Sequence, residues 1–151
     1  MKRLLGSLVR EGKIAISEPR EAVARSALDR SERSLASARA VLAIGNAEDA
    51  IALAYYAMYY SAQALLLRVG VTCKNHTATP ILLGVLIDTD PLESARELRI
   101  DTQYSIDPNV TRKDAVRLIA SAERFITEAY AYQATISNTE DHRSKIRALL
   151  G

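Results

Sequence analysis

A histidine in a short polar segment, with cations upstream and downstream, has the residue types needed to move a proton at a phosphate. His76 stands in Lys74-Asn75-His76-Thr77. An imidazole titrates near pH ~6.5 and can exchange a proton with a ribose 2′-hydroxyl or a leaving oxygen. A neighbouring cation stabilises the charge that builds on phosphorus-bound oxygens. Arg68 lies eight positions before His76, and Arg99 and Tyr104 lie in Arg99-Ile100-Asp101-Thr102-Gln103-Tyr104, read here as a later loop. His76 and Arg68 are the catalytic candidates. Lys74, Asn75, Arg99 and Tyr104 are the candidates for holding a phosphate or nucleotide, provided that loop folds over the same end of the molecule. The plainer alternative is a histidine that caps a helix or sits in solvent.

Other residues invite chemistry less directly. Tyr55, Tyr56, Tyr59 and Tyr60 fall on one broad helical face. Such a face can stack on bases or pack into a core or an oligomer interface. Cys73 is the single cysteine, so neither an internal disulfide nor a multi-cysteine zinc site is available. No Gly-rich phosphate loop, His-Glu-x-x-His or Gly-x-Ser-x-Gly motif occurs, and no Glu-x-x-His spacing of a di-iron bundle. No metal and no cofactor are expected.

The elements that must position these residues are helical. Leu28, Leu35 and Leu42 recur at heptad spacing with Ser31 and Ala38 between them, a stripe on which a second helix can pack closely. That helix is expected from Ser17-Glu18-Pro19 to Ile44, closed by Gly45. Asn46, with Asp49 after it, caps the next helix, which runs to about Val69 and stops at Gly70. The short turn makes the two antiparallel neighbours. From Ala50 to Leu67 only Ser61 and Gln63 are not apolar. That length must be weighed as a membrane span, but four of its residues are tyrosines. No other segment could partner it, so the centre of a bundle is the expected place for it. A shorter helix is expected from Pro80 to about Ile87, then a weak helical piece or ordered loop from Leu92 to Ile100. A capping box at Thr111 and Asp114 opens the last long helix, to about Ile136. Residues 138–151 read as a loose terminal helix or tail. No strand pattern is evident. The expected fold is all-α: an antiparallel bundle of four to five helices, in one domain, around one central apolar helix.

Composition narrows the class. A chain of 151 residues with 48% hydrophobic and 25% charged residues is a globular domain, not a disordered one. A net charge of +2 is too small to announce a nucleic-acid binder. The charge is uneven, with nine Lys/Arg against five Asp/Glu in residues 1–39 and three against six in residues 40–98. The opening Met1-Lys2-Arg3-Leu4-Leu5-Gly6 has no long apolar stretch of a signal peptide, so a cytoplasmic protein without membrane attachment is expected.

Asp49-Ala50-Ile51, Ala54-Tyr55-Tyr56-Ala57-Met58-Tyr59, Ala64-Leu65-Leu66, Gly70 and Lys74-x-His76 together resemble the core signature of HEPN-domain proteins. Leu8-Val9-Arg10-Glu11-Gly12-Lys13-Ile14 is similar to the N-terminal helix of a stand-alone prokaryotic group among them, and Leu98-Arg99-x-Asp101-x-Gln103-Tyr104 to that group's C-terminal half. The resemblance implies a helical bundle, usually a homodimer. It implies either action with a small nucleotidyltransferase partner in a toxin–antitoxin or defence system, or a metal-independent endoribonuclease. A module that only binds RNA or a nucleotide is the remaining alternative. The family's nuclease motif is an Arg, four to six residues, then a His; here seven residues separate Arg68 from His76. Some members carry a Tyr two positions after the His, where this chain has Ala78.

Overall fold

The helix signals recur in order in the computed structural model, which describes residues 1–151. The elements are α1 (Lys2–Arg10), β1 (Ile14–Ile16), α2 (Glu21–Ala43), α3 (Ala47–Arg68), β2 (Val71–Cys73), α4 (Ala78–Leu83), α5 (Asp90–Tyr104), α6 (Arg112–Thr135) and α7 (Thr139–Leu150). The long helices α2, α3, α5 and α6 form an all-α bundle, with α3 packed on each of the other three. The heptad stripe faces α3: Leu28, Ser31, Leu35, Ala38 and Leu42 are all buried. Ser31 donates from Oγ to the Ala57 carbonyl at 2.6 Å, a buried bond across the α2–α3 pair. Small residues at this crossing allow that approach. α3 is long and apolar enough to cross a membrane by composition, with a mean hydropathy of 1.3 in its most apolar window, and 67% of that window is buried inside the bundle.

Caps act where the residues require them. The Asn46 side chain accepts from the Asp49 amide, and Thr111 and Asp114 form a reciprocal capping box. Arg112 then reaches back to the Leu42 carbonyl, tying the start of α6 to the end of α2.

Four boundaries differ from the sequence expectation. First, α2 begins at Glu21 rather than Ser17, because residues before it are held extended: the Ser17 amide donates to the Gly70 carbonyl. Second, a short antiparallel ribbon exists, with Ile14 opposite Cys73 and Ile16 opposite Val71. Three-residue strands carry too little alternation to be seen in a sequence. Third, α4 starts at Ala78 and ends at Leu83, so Pro80 sits within its first turn instead of opening it. Fourth, residues 90–104 form a full helix rather than a weak piece or loop. Pro91 sits at its first turn and only Leu92, Ala95 and Thr102 are buried, too sparse a stripe for periodicity to reveal. The C-terminal segment is a docked helix: Asn138 caps it and Ile146 is fully buried.

Gly70 fixes the exit of α3. Its φ is +81°, and a Cβ there would lie 2.2 Å from the Ser17 carbonyl oxygen. Only glycine lets the chain reverse against β1 at this point. The Lys74 amide donates to the Lys13 carbonyl at 2.8 Å, closing the ribbon just before His76.

Candidate functional site

The reversal at Gly70 sends the chain back along α3. His76 therefore lies over the middle of α3, not over the end it has just left. Its Nδ1 is 2.7 Å from the Tyr55 hydroxyl. Its ring stacks on Tyr59, with centroids 4.2 Å apart and planes 25° from parallel. Tyr56 stands edge-on at 6.3 Å. The backbone around His76 is set by Asn75, whose side chain accepts from the amides of Thr77 and Ala78 and whose carbonyl accepts from Thr79. Asn75 thus ties down the turn that opens α4 and acts as its cap. Asn75→Ala is expected to cost about 0.5–2 kcal/mol, the usual value of a lost cap, as a lower urea midpoint.

Arg99 arrives from α5. Its guanidinium lies 4.9 Å from the Tyr55 ring centre and donates to the Tyr56 hydroxyl at 3.3 Å and to Gln103 at 2.9 Å. Arg96, one turn earlier, acts on the same group. Burial, then the positive charges of Arg99 and Arg96, pull the His76 pKa below its ordinary 6.5. Burial also raises the phenol of Tyr55 far above its usual range, against the opposing charge of Arg99. Tyr55 is fully buried and stays protonated. Neither Arg96 nor Arg99 has a carboxylate within 4 Å, and the Nε of each is buried without a hydrogen-bond partner. Buried polar groups ordinarily find partners. Two guanidiniums without a carboxylate partner, beside an imidazole whose neutral form is favoured, suit an anion; a further cation would be repelled.

Of the sequence candidates, the fold brings Arg99 to His76 and leaves Arg68 away. Arg68 ends α3 and ion-pairs with Glu21. It lines a separate cleft with Glu21, Leu28 and Tyr130 on the far part of the bundle. Tyr55, the partner of His76, is thirteen residues before Arg68 on one helix, an axial separation of ~20 Å. Nearness in sequence is undone by the chain doubling back. Lys74 is exposed, and its contact to the fold is its backbone amide. Tyr104 ends α5, 80% exposed. Arg96, Tyr55 and Tyr59 are the residues that sequence reasoning did not place in the site. Arg96 and Arg99 are three apart, the spacing of one helical face, a signal concealed by reading Leu92 to Ile100 as a weak helical piece or ordered loop and Arg99 to Tyr104 as a loop. Cys73 is buried in the ribbon, and burial raises its thiol pKa, so it is a packing residue.

Residues 24–132, from the first turn of α2 to the last turn of α6 and including this cluster, match the HEPN domain family model. The chain belongs to the HEPN-domain family. It is also 32% identical over 117 residues to a UPF0332 protein of Gloeobacter violaceus, covering 71% of this chain and 93% of that protein. It is 31% identical over 108 residues to a UPF0332 protein of Archaeoglobus fulgidus, covering 66% of this chain and 86% of that one. The ribbon strand β1 lies outside the matched HEPN region, yet it holds β2 and so helps aim His76. Within this HEPN chain the position two after His76 is Ala78, fully buried, so no modifiable side chain stands there.

Proposed function

We propose that this HEPN protein is a metal-independent endoribonuclease that uses His76 as proton acceptor and Arg96 and Arg99 as phosphate-binding residues. The observation that carries this reading is the convergence of two carboxylate-free arginines on a half-buried histidine whose neutral form is favoured. When the Nδ1–H is shared with the Tyr55 oxygen, Nε2 presents a lone pair. The ribose 2′-oxygen attacks phosphorus as its proton passes to Nε2. The bond from phosphorus to the 5′-oxygen breaks, and that oxygen leaves with a proton from water. The products are a 2′,3′-cyclic phosphate and a 5′-hydroxyl. The arginines stabilise the negative charge on the non-bridging oxygens. A substrate lacking the attacking 2′-hydroxyl is expected to survive; its cleavage at the ribonucleotide rate would sink the proposal.

The depressed pKa sets the pH dependence. His76 must be neutral to accept a proton, so the acidic limb of kcat/KM is expected below pH 6.5. Stability follows the same sign. An imidazole whose folded pKa lies under its unfolded one favours folding above pH ~6.5, and that contribution disappears as pH falls through the folded value. Urea midpoints from pH 7.5 to 5 are expected to fall more steeply for the wild type than for His76→Gln. Parallel curves would show that His76 does not titrate as described.

A second reading has its own support. Tyr104 and Ile106, 80% and 104% exposed, place two large apolar side chains beside the end of α5. This is a surface on which a nucleotidyltransferase-like partner of a toxin–antitoxin or defence system could seat, in the cytoplasm and with the HEPN chain as a homodimer. Co-expression with such a partner is expected to yield a complex that Tyr104→Ser with Ile106→Ser weakens. A complex that the double variant leaves intact would remove this surface from the reading. A role limited to nucleotide binding would instead show as heat on titration with ATP while RNA stays uncut.

A further inference from the structure

The four tyrosines of α3 do not share one fate. Tyr55 and Tyr59 turn to His76, and Tyr56 and Tyr60 turn to α2. There they line an open groove of about 370 Å³ with Leu53, Arg30 and Ser34. That volume lies in the range of small-molecule sites. Arg30 and Ser34 are one helical turn apart on α2, and Leu53, Tyr56 and Tyr60 follow one face of the antiparallel α3.

The groove is chemically prepared. The Arg30 guanidinium carbon lies over the Tyr60 ring, 4.3 Å from its centre, with no carboxylate within 4 Å. Ser26 and Ser31 on the same helix spend their hydroxyls on carbonyls, at Ala22 and Ala57. Ser34, in the groove, makes no such bond. Tyr56 connects the groove to the histidine site: its ring faces Tyr60 at 6.2 Å, and its hydroxyl receives the Arg99 hydrogen bond. One side chain therefore borders both places.

We propose that this groove is a nucleobase subsite, holding one unpaired base of single-stranded RNA beside the phosphate at Arg96 and Arg99. The inference rests on the RNA reading above. An aromatic floor, a planar cation and a free hydroxyl suit a flat, polar-edged ring, because bases stack on tyrosine and on guanidinium planes and are read at their edges. A single aliphatic side chain, Leu53, is too little for an apolar peptide. The three arginines, Arg30 at the groove and Arg96 and Arg99 at the site, match the negative charge of an RNA backbone.

The test uses the full chain and a 2′-O-methyl RNA of about eight nucleotides, which resists cleavage. Abasic residues replace each position in turn, and binding is read by fluorescence anisotropy. For the wild type, one position is expected to lose roughly 5- to 150-fold in affinity, the worth of one stacked base. Tyr60→Leu is expected to lose a similar factor on intact RNA and to become indifferent to the abasic residue at that position. Arg30→Met, an exposed change that spares the core, is expected to weaken the same position. A Tyr60→Leu protein with wild-type affinity, or one still sensitive at that position, overturns the subsite. So does a Tyr60→Leu protein that sediments as one copy where the wild type sediments as two, since the groove is then an interface between copies. Wild-type protein that binds no RNA at all sinks the RNA reading itself. Wild-type cleavage lost on His76→Ala, with the abasic profile unchanged by Tyr60→Leu, sinks the subsite alone.

Discussion

His76→Ala is expected to lower the rate of RNA cleavage by about 10²–10⁴-fold, the usual contribution of a positioned acid–base group, without loss of the helical circular-dichroism signal. His76 is only half-buried, and its removal deletes one hydrogen bond to Tyr55 and one stacked contact with Tyr59. The global fold rests on other residues. Arg99→Met is the companion variant. It removes a charge that acts on both the imidazole and the phosphate, so cleavage falls while the acidic limb of the pH profile moves up toward 6.5, because Arg99 is one of the causes of the depression. A purely structural role for Arg99 would lower the rate and leave the limb where it was. Cleavage by His76→Ala at the wild-type rate would remove the histidine from the mechanism. Arg68→Met is expected to leave cleavage unchanged, since its guanidinium is committed to Glu21.

Gly70→Ala is expected to cost about 2–4 kcal/mol and to lower the thermal midpoint by roughly 4–16 °C for a domain of this size. Two effects combine. A side chain at φ +81° is strained, and its Cβ would sit 2.2 Å from the Ser17 carbonyl oxygen, a backbone atom that cannot swing aside. Relief requires parting β1 from β2. Since β2 delivers His76 to α3, cleavage should fall together with stability. Gly12→Ala separates the two effects: its φ is +68°, but nothing lies within 4 Å. It is expected to show the backbone cost of about 1–2 kcal/mol alone. Equal midpoints for the two variants would mean that the close approach at Gly70 is not limiting.

Much of the bundle was legible because its signals are local. The Leu28–Leu35–Leu42 stripe, Gly45, Asn46 and the Thr111–Asp114 box each act within a turn or two of themselves, and each is found doing so. Helix α5 was not legible because its buried side is three residues wide and charged side chains cover the rest. The ribbon was not legible because three-residue strands pair across more than fifty residues of sequence, and register over that distance leaves no periodic mark. The site divides in the same way. His76 and Arg99 stood out as residue types, but Arg68 was joined to His76 by proximity along the chain, which the reversal at Gly70 cancels. Arg96 was overlooked because its value depends on sharing a helical face with Arg99.

The order and period of the residues by themselves determined the all-α class, the α2–α3 hairpin with its small-residue seam, the central place of α3 and the family resemblance. Hydrophobic periodicity and capping are short-range, and they survive without knowledge of the fold. The tertiary structure alone decided which cations meet His76, and which tyrosines become its partners and which become the wall of a groove. Those outcomes depend on one left-handed glycine and a ribbon closing over a long loop. They fix distances between residues that the sequence leaves far apart.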